Sequence, residues 1–428
     1  MRKYARYKDS GISWIGDVPE HWETKRLKYV VDEFCKGNGI TKEEVFPDGD
    51  IKCVRYGEIY SKYDVSFSDC YSLTKNKFIA SPQYFSYGDI LFAGTGELVE
   101  EIGKNIVYLG NEKCLAGGDI IVAKHSQNPS FLNYALESKY CRIQKSYGKA
   151  KLKVVHISAG EIGNIVILLP PLPEQKTIAE YLDKKTAQIN ELVSAKQKQI
   201  ELLKEYKQSV IANAVTGKID ERREKRKWKD SGISWIGKIP ENWEVDKLGH
   251  RFIQRKEKVS DKDYPPLSVS KMGVTPQLES ACKTDDGDNR KLVLKGDFVV
   301  NSRSDRKGSC GLSELDGSVS LINIVATPRN IDGHYIHYLF RSNNYIEEFY
   351  RMGRGIVADL WTTRWSEMRT IMIPVPPLSE QKEIVAYIEK KVSSIDSQIA
   401  SIENQIANLN EYKQSLISDV VTGKVKVC

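Results

Sequence analysis

Several kinds of chemistry lack their parts in this 428-residue chain. Its eight cysteines include no C-x-x-C pair, so neither a zinc site nor a disulfide framework is expected. Of the six histidines, His334 and His337 share helical i, i+3 spacing but have no third ligand nearby, and no metal site is expected. No stretch approaches the roughly 20 apolar residues of a membrane span. The N-terminal MRKYARYKDS lacks the apolar core of a signal peptide, so the expected location is cytoplasmic, with no membrane contact. Gly103-Lys104 lacks the glycine five residues earlier that a phosphate-binding loop needs. Phe92-Ala-Gly-Thr-Gly96 fits the F-x-G-x-G that approaches S-adenosylmethionine in adenine methyltransferases, but no N-P-P-[YF] tetrad accompanies it. No Asp/Glu/Lys cluster of nuclease type is evident. The expectation is a chain with no catalytic residues and no cofactor of its own.

What is present is nearly the same statement made twice. Lys8–Leu27 reads KDSGISWIGDVPEHWETKRL and Lys229–Leu248 reads KDSGISWIGKIPENWEVDKL, an offset of 221. PPLPEQK at Pro170–Lys176 returns as PPLSEQK at Pro376–Lys382, an offset of 206. EYKQS at Glu205–Ser209 returns at Glu411–Ser415 and TGK at Thr216–Lys218 at Thr422–Lys424, with the same offset. The offsets differ because the stretch between opening motif and PPL motif is 15 residues longer in the first half. A repeated frame with divergent contents suits recognition of two different things at a fixed separation, although tandem duplication can also simply enlarge a stable domain. Composition is ordinary for a soluble chain of two to four domains, at 40% hydrophobic and 28% charged. A net charge of +7 permits a polyanionic partner without demanding one.

Each PPL motif opens a long helix, with proline in the first turn and an acid near the positive end of the dipole. In the second copy Ile388, Val392, Ile395, Ile399, Ile402, Ile406 and Leu409 alternate steps of four and three, a heptad seam that slips once near Tyr412 before Leu416 and Val420. In the first copy the seam holds Leu182, Ile189, Val193, Ile200 and Leu203, broken at Thr186 and Lys196. On the order of 40 residues gives each helix a length of roughly 60 Å. Gly217 and Gly423 stand where a left-handed terminating residue is wanted. The narrow stripes predict that the two helices pack on each other as an antiparallel coiled coil with a pseudo-twofold axis. Two helices each lying on its own domain would leave the far ends of both stripes exposed. The charged run Lys218–Lys229 reads as a solvated linker or a phosphate contact.

The stretches 28–169 and 249–375 are mixed, with β-rich runs at Asp89–Phe92, Asn164–Leu169, Asp297–Val300 and Ser320–Val325 and helical pieces near Pro129–Lys139 and Gly333–Tyr350. GDILFAGTGE at Gly88–Glu97 and GDFVVNSRSD at Gly296–Asp305 share a Gly-Asp turn feeding a strand, after which they diverge. A fixed strand carrying a changeable loop is a common way to build a recognition surface. Base edges are read by forked donors and acceptors. The candidates are Thr95, Glu97 and Lys104 in the first half and Asn301, Ser302, Arg303, Arg306 and Lys307 in the second. A second cluster before each PPL motif adds Lys149, Lys151 and Lys153, and Arg354 and Arg364, with glycines that let a backbone approach phosphate. Each could equally be a solvated surface charge. Trp14, Trp22, Trp235 and Trp243 read as packing anchors rather than base-stacking groups.

The paired SGISWIG motifs, PPL-x-EQ twice ahead of long helices, and VTGK closures resemble the specificity subunit of type I restriction-modification systems. The resemblance implies an α+β fold with two mixed α/β target-recognition domains separated by the two long helices. Its parts would be 1–169 (opening segment and first recognition domain), 170–217 (first helix), 218–228 (linker), 229–375 (opening segment and second recognition domain) and 376–428 (second helix). It also implies double-stranded DNA as partner, each domain binding one half of an asymmetric bipartite site. Two methylation subunits would bind S-adenosylmethionine, and two restriction subunits would use ATP and Mg. Helix length would act as a ruler for the spacer. Three rivals stand beside it: a specificity subunit of a methylation-only complex, a coiled-coil protein adaptor, and a solitary adenine methyltransferase built around Phe92–Gly96.

Overall fold

The computed structural model describes residues 3–12, 15–75, 81–150, 154–219, 226–277, 286–355 and 361–427. The chain forms two compact units, Met1–Lys196 with Asn404–Cys428, and Gln197–Glu403. Each unit holds one variable stretch, the front of one long helix and the rear of the other.

In the first unit the central sheet runs in the order Val31–Lys36, Ile120–His125, Ile90–Ala93, Asn105–Tyr108, Ser66–Phe67, antiparallel except at the last pair. In the second the corresponding sheet is Phe252–Gln254, Asn323–Pro328, Phe298–Asn301, Cys310–Leu312, antiparallel throughout. Asp89 and Asp297 make the turn before the middle strand: each accepts from a backbone N–H three residues back, of Ser86 and Leu294, both at 2.8 Å. The run expected at Ser320–Val325 pairs instead over Asn323–Pro328, because Asn323 folds back on the Ser320 carbonyl with its backbone and side-chain N–H.

Against one face of each sheet lie two short helices where one helical piece was expected: Pro129–Glu137 and Lys139–Ser146 in the first unit, Gly333–Arg341 and Asn343–Arg351 in the second. Ser138 and Ser342 break them identically. Each has an extended backbone, and its hydroxyl donates to the carbonyl three residues back (2.5 and 2.6 Å). Asn128 and Asp332 cap the leading helices.

The long helices are Leu172–Val215 and Leu378–Val421, 44 residues each. They run antiparallel where they meet within a unit. In the first, Lys196 Nζ reaches Gln405 Oε1 (2.5 Å) and Lys413 Nζ reaches Asn190 Oδ1 (2.8 Å); in the second, Lys207 Nζ grips both oxygens of Asp396 (2.7 and 2.8 Å). Of the expected seam, Leu182, Ile189, Ile200, Ile388, Ile395 and Ile402 are buried, and Val193, Leu203, Val392, Ile399, Ile406 and Leu409 are half-buried.

The expected slip at Tyr412 is a misreading. Tyr206 and Tyr412 are exposed, and the lysine after each turns into the seam, so that Leu409, Lys413, Leu416 and Val420 keep the four-three alternation unbroken. A lysine can hold that place because its methylenes pack along the stripe while its ammonium meets a partner. Thr186 is buried rather than a gap: its hydroxyl meets Tyr134 Oη at 3.0 Å, joining the helix to the first variable region.

The repeated motifs are the joints of this frame. Gln175 accepts from Asn128 N (3.1 Å) and donates to Pro170 O (2.9 Å); Gln381 does the same with Asp332 N (2.7 Å) and Pro376 O (2.7 Å). Glu174 accepts from Tyr4 Oη (2.6 Å) and pairs with His21, while Glu380 accepts from Trp243 Nε1 (3.0 Å) and pairs with Arg226. Thus glutamine ties each helix to a variable region and glutamate ties it to an opening segment. Gly423 (φ +72°) lies against Pro19 and Trp22, and Gly217 (φ +79°) against Pro240 and Trp243, so a Cβ there would meet both strain and proline atoms within 2.6 Å. Trp22 and Trp243 are fully buried anchors and Trp235 is half-buried; Trp14 lies outside the described residues.

Candidate nucleic-acid interface

In both units the loop after the middle strand is stitched to the segment that follows the two short helices. The first unit does this with a two-residue ladder, Thr95–Gly96 against Val155–His156. The second uses bridges of Thr362 to Arg303 and Arg354, with Ser304 N on Trp361 O (2.9 Å) and Thr363 N on Ser302 O (3.0 Å). Two clusters far apart in sequence therefore meet at one edge of each sheet.

The candidates fare differently within that edge. Thr95 is buried with its hydroxyl on His156 Nδ1 (3.0 Å), and Ser302 is buried with its hydroxyl donating to Ile322 O (2.6 Å). Both are corrected from surface contacts to loop supports, because a short polar residue at a strand end is the natural internal tie. Lys104 also turns inward: Nζ donates to Tyr63 O (3.3 Å), and burial pushes the ammonium below the usual lysine range. It lines a cavity of about 200 Å³ with Asp64, Glu137, Lys145 and Lys413. Glu97 is exposed, and Lys149 pairs with Glu161 at 2.5 Å. Lys151 and Lys153 lie outside the described residues.

The second unit presents a denser surface. Asn301 is half-buried, and its side-chain oxygen accepts from Arg303 N (3.2 Å). Arg303 is exposed and forks onto Asp305, Nε to Oδ1 at 2.9 Å and Nη2 to Oδ2 at 3.1 Å. Arg306 is exposed beside Asp305, Lys307 meets Glu347 (3.1 Å), Arg354 approaches Glu367 (3.6 Å), and Arg364 is exposed. Tyr350 Oη steadies the loop on the carbonyls of Asn301 (3.2 Å) and Arg306 (3.1 Å).

A family model described as the type I restriction modification DNA specificity domain matches residues 19–202. The MjaX type I restriction enzyme specificity subunit, as it is named in Methanocaldococcus jannaschii, is 28% identical over 434 residues, spanning 96% of each chain. A chain from a structure of complex assembly and conformational transition of the type I R-M system aligns over 95% of this chain and 99% of its own, with TM-score 0.68 at 16% identity. Along nearly its whole length the chain is similar to type I restriction-modification specificity subunits. The HsdS subunit from Thermoanaerobacter tengcongensis shares the fold as well, with TM-score 0.52 at 16% identity over 95% and 98% of the two chains.

Beside the candidates stand residues that sequence reasoning passed over. Gln254, Lys291, Trp365 and Arg369 line an open cleft of about 740 Å³ beside Arg364. Gln254 and Lys291 come from strands whose pattern carries no signal of a surface role. Trp361, Arg364 and Trp365 sit together in WTTRW, an aromatic-arginine interleaving that could have been noticed.

Proposed function

We propose that this chain is a specificity subunit, the DNA-reading member of its complex, with the region 1–169 reading one half of an asymmetric, interrupted site and the region 229–375 the other. One observation carries the reading: Gln175 and Gln381, Asp89 and Asp297, and Ser138 and Ser342 repeat the same joints, while the loops those joints hold share neither sequence nor charge. Unlike loops on like frames are suited to unlike half-sites. The chain itself does no chemistry in this reading. It recruits two methylation subunits, which bind S-adenosylmethionine, and two restriction subunits, which bind ATP and Mg, in the cytoplasm.

Single-molecule methylome sequencing of cells expressing the chain with its methylation subunit, against cells expressing that subunit alone, tests this. The expected result is a new adenine mark on an asymmetric interrupted motif. A reconstituted complex binding DNA without sequence preference would overturn it. The long helices set the spacer in this scheme, so about four residues, one helical turn, inserted near Ile189–Leu192 lengthen the non-specific gap and leave both half-sites unchanged.

A further inference from the structure

Among the charged candidates of the second unit, Arg303 is distinguished by what is already bound to it. A guanidinium has five N–H groups in one plane. Asp305 takes the Nε–H with one carboxylate oxygen and the neighbouring Nη2–H with the other. That fork leaves the far edge of the guanidinium, the outer N–H groups of Nη1 and Nη2, side by side and parallel. Guanine presents two acceptors side by side in the major groove, N7 and O6, which such a pair of donors matches; adenine replaces the second acceptor by a donor.

The backbone beneath is fixed as well. Arg303 bridges Thr362, its N–H is held by Asn301, and Tyr350 ties the carbonyls on either side of the loop. Both partners are on the surface, with side chains 44% and 36% accessible. A surface arginine needed only for phosphate gains nothing from a carboxylate beside it, because that carboxylate cancels the charge a phosphate would seek. Lys307 and Arg354 also face carboxylates, but Lys307 meets both oxygens of Glu347 with one rotatable ammonium, which has no planar fork, and Arg354 approaches Glu367 at longer range (3.6 Å).

We infer that Arg303, oriented by Asp305, reads a guanine in the half-site of the second recognition domain. This rests on the proposed DNA-reading function and adds the base and the residue. Asp305 is a positioning residue: it fixes the plane of the fork before DNA arrives, so less side-chain freedom is lost on binding.

The test uses the assembled complex of the chain with its methylation subunits. Binding and methylation are measured on the wild-type site and on duplexes carrying each of the three other base pairs at every second-half position. For wild type, one G·C position is expected to lose about ten- to a hundredfold on replacement. Arg303→Lys, which keeps the charge but not the fork, should erase that discrimination at the one position while leaving the first half-site motif unchanged. Asp305→Ala should weaken the same discrimination while raising affinity for non-specific DNA. If Arg303→Ala instead lowers binding equally on all duplexes and reduces the salt slope by about one, Arg303 contacts phosphate and the assignment falls, while half-site recognition stands. If wild type itself shows no preference at any second-half position, the underlying reading fails with it.

Discussion

The two variable regions solve the same packing problem with opposite chemistry. Three residues after the Gly-Asp turn stand Phe92 and Val300, and opposite them in the next strand stand Asn105 and Cys310. The seventh residue beyond the helix-breaking serine is Lys145 in the first region and Phe349 in the second. In the first region Lys145 is buried with Nζ on Asn105 Oδ1 (2.5 Å) and 3.7 Å from Glu137, which also takes Arg142 (2.6 Å) and Asn105 N (3.1 Å). Burial would raise the Glu137 carboxyl, but Lys145 and Arg142 outweigh it and hold it below the usual range. In the second region the same space is filled by rings, with Phe340 stacked on Tyr345 at 4.1 Å and Phe349 beyond it. The frame thus fixes where side chains meet but not what they are, and that tolerance lets the loops above diverge.

The sharpest way to break this comparison is Lys145→Ala. It leaves Glu137 with Arg142 as its one charged neighbour in this network and Asn105 Oδ1 without its buried donor, and should cost about 3 kcal/mol, read as lost hydrogen-exchange protection over residues 129–146. Phe349→Ala should cost a similar amount through its cavity. The two differ in rescue: Lys145→Met combined with Glu137→Leu should recover most of the loss, since a well-packed apolar pair replaces a buried ion pair at little cost. A loss below about 1 kcal/mol for Lys145→Ala would mean that the network is solvated and the comparison empty.

The frame was legible in the sequence because it repeats and because helix periodicity survives divergence. The seam from Ile388 to Leu409, the glycines at 217 and 423 and the PPL helix starts all follow from pattern. The lysine of EYKQS was not legible as a seam residue, since a heptad scan counts apolar side chains and passes over a methylene stem. The candidate interface was legible only in part. The loop 301–307 and the segment around Arg354 and Arg364 do meet, but no local pattern announces that Thr95 and Ser302 turn inward or that Lys104 faces a cavity. Those depend on which strand end lies across from which, a long-range pairing invisible to spacing.

A second difference concerns acid. His337 in the second region stands where the first has Asn133, each four residues before the residue preceding its helix-breaking serine. His337 Nε2 lies 3.1 Å from Arg341 Nη1, and burial, with Arg341 and His334, pushes the imidazole down to about 4. A group depressed in the folded state contributes stability fully above its unfolded value of 6.5, and that contribution is lost as pH falls through 4. The second region should therefore lose about 3 kcal/mol across that window, seen as exchange over 333–351 rising with acidity. His337→Asn should flatten the profile of the second region while leaving the first region's unchanged.

The smallest expected effect probes the seam lysines. Lys207 finds its carboxylate on the opposing helix, at Asp396; the position equivalent to Asp396 in the first unit is Asn190, and there Lys413 takes its charge partner from the variable region, at Asp64 (3.0 Å). Asp64 is largely exposed, so the ion pair itself is weak, and Asp64→Ala should cost about 1 kcal/mol or less, mainly by leaving a buried ammonium with a neutral amide. Asn190→Asp rebuilds in the first unit the arrangement of the second, and should make Asp64→Ala silent in a double-mutant cycle. In that design the first region is coupled to the helix pair through a charge, and the second is not. Should Asp64→Ala cost the same with Asn190→Asp as without it, Lys413 does not depend on the variable region, and the two units use their seam lysines alike.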